Sequence, residues 1–148
     1  MSQEIRIGVM GMLRGSGYVG LFKQMEGCRV TAVCDFNPIS LERGKGALDD
    51  SIRVFTNFDS FIDSGLFDAV MLCNFFYEHV PFALRAMERG IHVLSECTPA
   101  LTLAECVQLC QAVETTGCKY MLAENYPYFA CNLEMKRRYE RGEIEHTR

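Results

Sequence analysis

Apolar positions along the chain alternate between two periods. Ile5-Arg6-Ile7-Gly8-Val9-Met10, Arg29-Val30-Thr31-Ala32-Val33-Cys34 and Phe67-Asp68-Ala69-Val70-Met71-Leu72-Cys73 are short, dense runs of the kind that form strands covered on both faces. Arg53-Val54-Phe55, Ile91-His92-Val93-Leu94 and Lys119-Tyr120-Met121-Leu122-Ala123 read the same way. Between these runs the apolar residues recur at three- and four-residue steps, which predicts helices. One carries Val19, Phe22 and Met25; another runs from Ser40 to Leu48 behind Pro38. A short helix through Phe61 and Ile62 starts at Asn57 or Asp59 and ends at Gly65. Val80, Ala83, Leu84 and Met87 lie on one face of a helix from Glu78 to Arg89. Thr102 and Glu105 spell a capping box for a helix that runs to Thr116 and stops at Gly117. A last helix covers 129–141. Strands alternating with helices predict right-handed βαβ units. The expected fold is α/β, a doubly wound, six-stranded, mostly parallel sheet in a single domain over 1–148.

The first strand runs into Gly11-Met12-Leu13-Arg14-Gly15-Ser16-Gly17-Tyr18-Val19-Gly20, which contains a G-x-G-x-x-G spacing at Gly15, Gly17 and Gly20. Between a strand and a helix this pattern points to dinucleotide binding. Glycines let the backbone turn and approach a pyrophosphate, and the following helix offers free N–H groups. Gly11 is expected to make the tight turn, with Gly15, Ser16 and Gly17 lining the phosphates. The alternative is an ordinary glycine-rich loop. Arg14 either adds a charged contact to a phosphate or points to solvent. Asp35 ends the second strand, where a carboxylate accepts hydrogen bonds from ribose hydroxyls and repels a 2′-phosphate. Phe36 and Asn37, which follow it, are not basic, so NAD is expected rather than NADP. The alternative for Asp35 is a helix-capping acid ahead of Pro38.

Charge and cysteines narrow the picture. The net charge is −4, and the one basic cluster, Lys136, Arg137, Arg138 and Arg141, reads as a solvated helix face, so no nucleic-acid partner is expected. No apolar run is long enough to span a bilayer, and Glu4 and Arg6 around the first strand do not suit a signal peptide. A cytoplasmic protein without membrane contact is expected. The eight cysteines contain no C-x-x-C pair. Cys34 and Cys73 act as small hydrophobes at strand ends. Cys106 and Cys110 fall on one helical stripe with Leu103, Val107 and Val113, which predicts core packing rather than a metal site. All eight are expected to be reduced, and no metal is expected.

The sequence also resembles the Gfo/Idh/MocA family of oxidoreductases over almost its whole length. The resemblance rests on the Ile5–Gly11 strand and turn, Val30 to Asp35, Phe67-Asp68-Ala69-Val70, His79, the stretch from Ala86 to Glu96, and Ala123-Glu124-Asn125-Tyr126. It implies an NAD-binding Rossmann domain whose cofactor set comprises Gly11, Leu13, Arg14, Gly15, Ser16, Gly17, Asp35, Asn74, His79 and Glu96. It implies hydride transfer on a sugar or polyol-like substrate, within a pocket completed by a C-terminal domain that 148 residues do not contain. It also implies a homo-oligomer. The family's Glu-Lys-Pro motif falls on Glu96-Cys97-Thr98, so Cys97 stands where the catalytic lysine belongs, and Asn74 replaces a strand-end threonine. The catalytic residues are therefore unassigned, with Cys97 either a structural residue or a catalytic thiol. His79 and His92 are expected to serve their local elements. A non-catalytic nucleotide-binding or regulatory module is the alternative function. Without the partner domain the chain is expected to be inactive and to self-associate through Phe75, Phe76, Tyr77, Tyr126, Tyr128 and Phe129, unless these are ordinary core.

Overall fold

The computed structural model describes residues 4–144, so the ends of the expected 1–148 domain lie outside the described residues. Among the described residues six strands form one sheet: β1 (Ile5–Met10), β2 (Cys28–Cys34), β3 (Arg53–Phe55), β4 (Ala69–Leu72), β5 (His92–Ser95) and β6 (Tyr120–Leu122). Their order is β3-β2-β1-β4-β5-β6, and every pairing is parallel. The helices are α1 (Met12–Phe22), α2 (Pro38–Gly44), α3 (Phe58–Ile62), α4 (His79–Met87), α5 (Leu103–Thr116) and α6 (Ala130–Glu140). This is the doubly wound arrangement that the alternating pattern predicts, with the strand order reversing between β1 and β4.

Side chains alternate across each strand, so the sheet feeds two cores. Val9, Val33 and Met71 pack with Met12, Val19 and Phe22 of α1. Met10, Cys34, Val70 and Leu72 face the other way, against Phe58, Phe61, Val80, Ala83 and Met87 of α3 and α4. At the amino end of the sheet Arg6 grips Asp68 through its guanidinium at 2.6 and 3.1 Å and its backbone N–H at 3.0 Å. That grip sets the register between β1 and the segment entering β4.

Several boundaries follow their local signals. Asn57 caps α3 by accepting from the Ser60 N–H, and Pro38 opens α2. Thr102 and Glu105 make the reciprocal capping box of α5, which Gly117 ends at φ 69°. The 129–141 expectation matches α6.

Three expectations need correction. The first is the glycine-rich turn: it shrinks to Gly11, and Gly15, Ser16, Gly17 and Gly20 all lie inside α1. Met25 lies beyond α1 and is half exposed. The third is the α5 stripe. Cys106, Cys110, Leu103 and Val107 are exposed, and Leu109 is the buried residue of that helix. An amphipathic stripe states which residues share a face, and here α4 and the sheet take only its margin. All eight cysteines are free, with Cys34, Cys73 and Cys118 buried.

Candidate functional site

Strand order puts the carboxyl ends of β1, β2 and β4 side by side, and a crevice of about 380 Å³ opens there. Its floor is Gly11. The ladder continues past the strands to meet it: the Gly11 N–H donates to the Cys34 carbonyl at 2.8 Å, and the Cys73 N–H donates to the Met10 carbonyl at 2.7 Å. Gly11 has φ 89°, and a β-carbon there would stand 2.5 Å from the backbone of Cys73 and Asn74. Only glycine fits a residue pressed against backbone in a left-handed conformation. Helix α1 starts at the next residue, so the N–H groups of Leu13 and Arg14 have no intrahelical partner.

Leu13, Arg14, Asp35 and Asn74 line this crevice with Gly11. Asp35 accepts the Met12 N–H at 2.7 Å on one oxygen and the Asn37 N–H at 2.8 Å on the other. The cap of α2 is Asn37, whose side chain accepts from the Ile39 N–H, so Asp35 does not cap that helix. It instead sits at the positive end of α1, with lone pairs on both oxygens still free. Asn74 donates to Glu78 Oε2 at 3.3 Å, while its own Oδ1 is buried without a hydrogen-bond partner. An orphaned acceptor beside a left-handed glycine and free helix N–H groups suits a polar ligand with hydroxyls and phosphates, as a dinucleotide is.

Other expected residues lie apart from the crevice. The Gly15 N–H is already bonded to the Gly11 carbonyl at 2.8 Å, and a β-carbon on Gly15 would meet Val9 Cγ1 at 2.6 Å. Gly15 therefore brings α1 close to β1. Ser16 and Gly17, one turn further along, do not line the crevice either. His79 is 1% exposed; its Nδ1 lies 2.8 Å from the Thr98 carbonyl and its Nε2 3.1 Å from the Asn74 carbonyl. It ties the end of β4 to the loop after β5.

Glu96 follows β5 and is held by three donors. Arg14 Nε stands 2.6 Å and the Tyr18 hydroxyl 2.7 Å from Oε1, and the Cys97 N–H donates to Oε2 at 3.2 Å. Burial pushes the Glu96 carboxyl up, but the bonds from Tyr18 and Arg14 outweigh it and hold the group below its ordinary value. Burial, with help from Glu96, pushes Tyr18 up to about 12. Cys97 donates its thiol to Glu124 Oε2 at 3.2 Å, and that bond raises the thiol above its ordinary value. A thiolate is thus disfavoured here, and a neutral thiol cannot replace a lysine ammonium.

Sequence reasoning missed Phe36, Asn37 and Glu78 on the crevice wall, and Tyr18 on Glu96. Tyr18 had a usable signal, since it lies four residues after Arg14 on one helix face. Among the described residues no group of three or more His, Cys, Asp or Glu could hold a metal ion, and no helix is long and apolar enough to cross a membrane.

A family model described as an oxidoreductase family with an NAD-binding Rossmann fold, Gfo/Idh/MocA, matches residues 5–124. A glycosyl hydrolase family 109 protein of a Shewanella species is 31% identical over 134 residues, 84% of this chain and 29% of its own length. Another from Phocaeicola vulgatus is 28% identical over 156 aligned positions, 97% of this chain and 37% of its own. The chain thus spans about a third of these curated relatives. Among solved structures, the WlbA dehydrogenase of Bordetella pertussis, in complex with NADH and UDP-GlcNAcA, superposes with a TM-score of 0.86 at 24% identity. That match covers 95% of this chain and 43% of the other. A scyllo-inositol dehydrogenase of Lactobacillus casei with bound NAD(H) and scyllo-inositol gives 0.82 at 20% identity, covering 96% and 42%. These likenesses show a shared fold. With the model match running from β1 past β6 and the crevice at the strand-order reversal, the chain belongs to the Gfo/Idh/MocA oxidoreductase family as its NAD-binding Rossmann domain.

Proposed function

We propose that this domain holds NAD in the crevice at Gly11 and serves an enzyme that acts on a sugar or polyol-like substrate by hydride transfer. The observation that carries the reading is the convergence of Gly11, Arg14, Asp35 and Asn74 on one crevice at the carboxyl strand ends. In this reading Asp35 offers its free lone pairs to the ribose hydroxyls. The Leu13 and Arg14 N–H groups would serve the pyrophosphate, and Asn74, with its unpaired Oδ1, would be part of the wall beside it. Bound NAD supplies the hydride acceptor. Gly15 and His79 act indirectly, the first by packing α1 on β1, the second by bracing the walls. Among the described residues Cys97 does not supply an ammonium and no lysine lines the crevice, so in this reading the domain binds cofactor without turning over substrate.

The substrate class is supported by the sugar nucleotide and inositol in the two solved relatives. The names of the curated relatives favour a second reading, in which the substrate is a glycoside. Release of a free sugar without accumulated NADH by the enzyme that this domain serves separates the two. A cytoplasmic location and self-association belong to the same proposal. The latter is supported by exposed Phe75 (67%), Tyr126 (65%) and Tyr128 (68%).

Calorimetry tests the cofactor assignment. Asp35→Ala removes a charged acceptor, whose hydrogen bonds contribute about 1.5–3 kcal/mol, so NAD affinity falls roughly 10- to 100-fold. NAD bound equally by the variant, or NADP bound more tightly than NAD by the wild type, overturns the role given to Asp35.

A further inference from the structure

The ion pair between Arg14 and Glu96 links two places that a cofactor has to use. Arg14 stands in the first turn of α1 and lines the crevice, yet its guanidinium is turned onto Glu96, with Nε 2.6 Å from Oε1. It also lies over the Tyr18 ring, 5.4 Å from the centroid. The two partners are unequally anchored. The Glu96 side chain is 16% exposed and keeps the Tyr18 hydroxyl and the Cys97 N–H even without Arg14. The Arg14 side chain is 62% exposed. Glu96 is therefore fixed, and Arg14 is the partner able to move.

A pyrophosphate arriving at the N-terminus of α1 brings two negative charges and several acceptor oxygens to the mouth of the crevice. Guanidinium pairs readily with phosphate, and a bidentate grip through Nε–H and a terminal N–H takes Nε, the Arg14 donor that Glu96 holds, off that carboxylate. We propose that Arg14 is a two-position latch, held by Glu96 in the ligand-free domain and transferred to the pyrophosphate when a dinucleotide enters. The proposal rests on the dinucleotide reading of the crevice. Glu96 is then an internal competitor for the cofactor's anchor, in place of the direct cofactor contact expected from the sequence. On transfer Glu96 gives up one of three donors and keeps two, so its carboxylate becomes more basic beside Cys97, at the carboxyl end of β5.

The test is calorimetry with NAD, ADP-ribose and adenosine on the wild type, Glu96→Gln, Arg14→Ala and the double variant, each checked for folding by circular dichroism. Half-exposed ion pairs contribute up to about 1 kcal/mol, so Glu96→Gln tightens NAD and ADP-ribose by about two- to fivefold. Adenosine, which has no phosphate, is unaffected, and the gain vanishes in the Arg14→Ala background. Weaker NAD binding by Glu96→Gln, an equal effect on adenosine, or a gain that persists without Arg14 overturns the latch. A second readout is the Arg14 Nε–H resonance in the 15N spectrum of the wild type. It shifts when ADP-ribose is added, and an unmoved resonance at saturation refutes the transfer. A wild type that binds neither NAD nor ADP-ribose overturns the crevice assignment itself. A wild type that binds both, with Glu96→Gln unchanged, overturns the latch alone.

Discussion

Gly11, Gly15 and Gly17 come from one short stretch of sequence, yet alanine at each has a different consequence. At Gly11 the new β-carbon meets backbone at 2.5 Å, and φ is 89°. A left-handed conformation costs an L-residue about 1–2 kcal/mol, and overpacking adds about 1–3 kcal/mol, so Gly11→Ala destabilises the domain by roughly 2–5 kcal/mol. At Gly15 the backbone is helical, which favours alanine by about 1 kcal/mol, but Val9 Cγ1 at 2.6 Å must move inside a packed core. The net loss there is about 0–2 kcal/mol. At Gly17 nothing lies within 4 Å and the residue is in the middle of α1. Gly17→Ala therefore stabilises by about 0.5–1 kcal/mol, or about 1–4 °C in Tm for a domain of this size. Urea and thermal melts followed by far-ultraviolet circular dichroism give the order, and NAD titration of the same variants gives the binding effect. Gly17→Ala binds NAD as the wild type does, whereas Gly11→Ala loses binding along with stability. If Gly17→Ala destabilised the chain or abolished NAD binding, α1 could not begin at Met12 and the long phosphate loop would be restored.

The thiol at the lysine position gives a pH-dependent prediction. Its bond to Glu124 raises the Cys97 pKa, so at pH 8 its thiolate fraction lies below that of an ordinary cysteine. Peptide mapping after iodoacetamide treatment shows Cys97 alkylated more slowly than exposed Cys131, and Glu124→Gln speeds it; Cys97 reacting faster than Cys131 would contradict the assignment. Sedimentation at several concentrations reads the exposed aromatics: a species above monomer size is expected, and a clean monomer throughout would sink the self-association.

The order of the elements was legible because it depends on local period. Dense apolar runs and three-to-four spacings name strands and helices wherever they occur, and Thr102, Asn57 and Gly117 mark boundaries through bonds to near neighbours. The positions of Gly11 at the turn after β1 and of Asp35 after β2 were legible as well, since the strand-turn-helix unit carries both. The start of α1 was not. Glycine spacing cannot tell a loop from a helix pressed onto a strand, and the contact that decides it, Gly15 on Val9, is tertiary. Nor was the fate of the α5 stripe, because no pattern within a helix says whether something covers it. The Arg14–Glu96 pair spans 82 positions, beyond the reach of any local rule.

The thin burial of α5 has a consequence for how the molecule opens. With Leu109 as its buried residue, Met121 of β6 half exposed and α6 without a buried residue, the last third of the described chain has little apolar burial holding it down. Free energies of local opening follow such differences. Its amides are therefore expected to exchange with solvent before those of β1, β2 and β4, whose Val9, Val33 and Met71 are fully enclosed, and hydrogen-exchange mass spectrometry reads the order. The crevice is built on those three strands. On this burial the crevice stands on the well-packed strands and the thinly packed segment lies at their margin, so local opening of the margin is expected to leave the crevice in place.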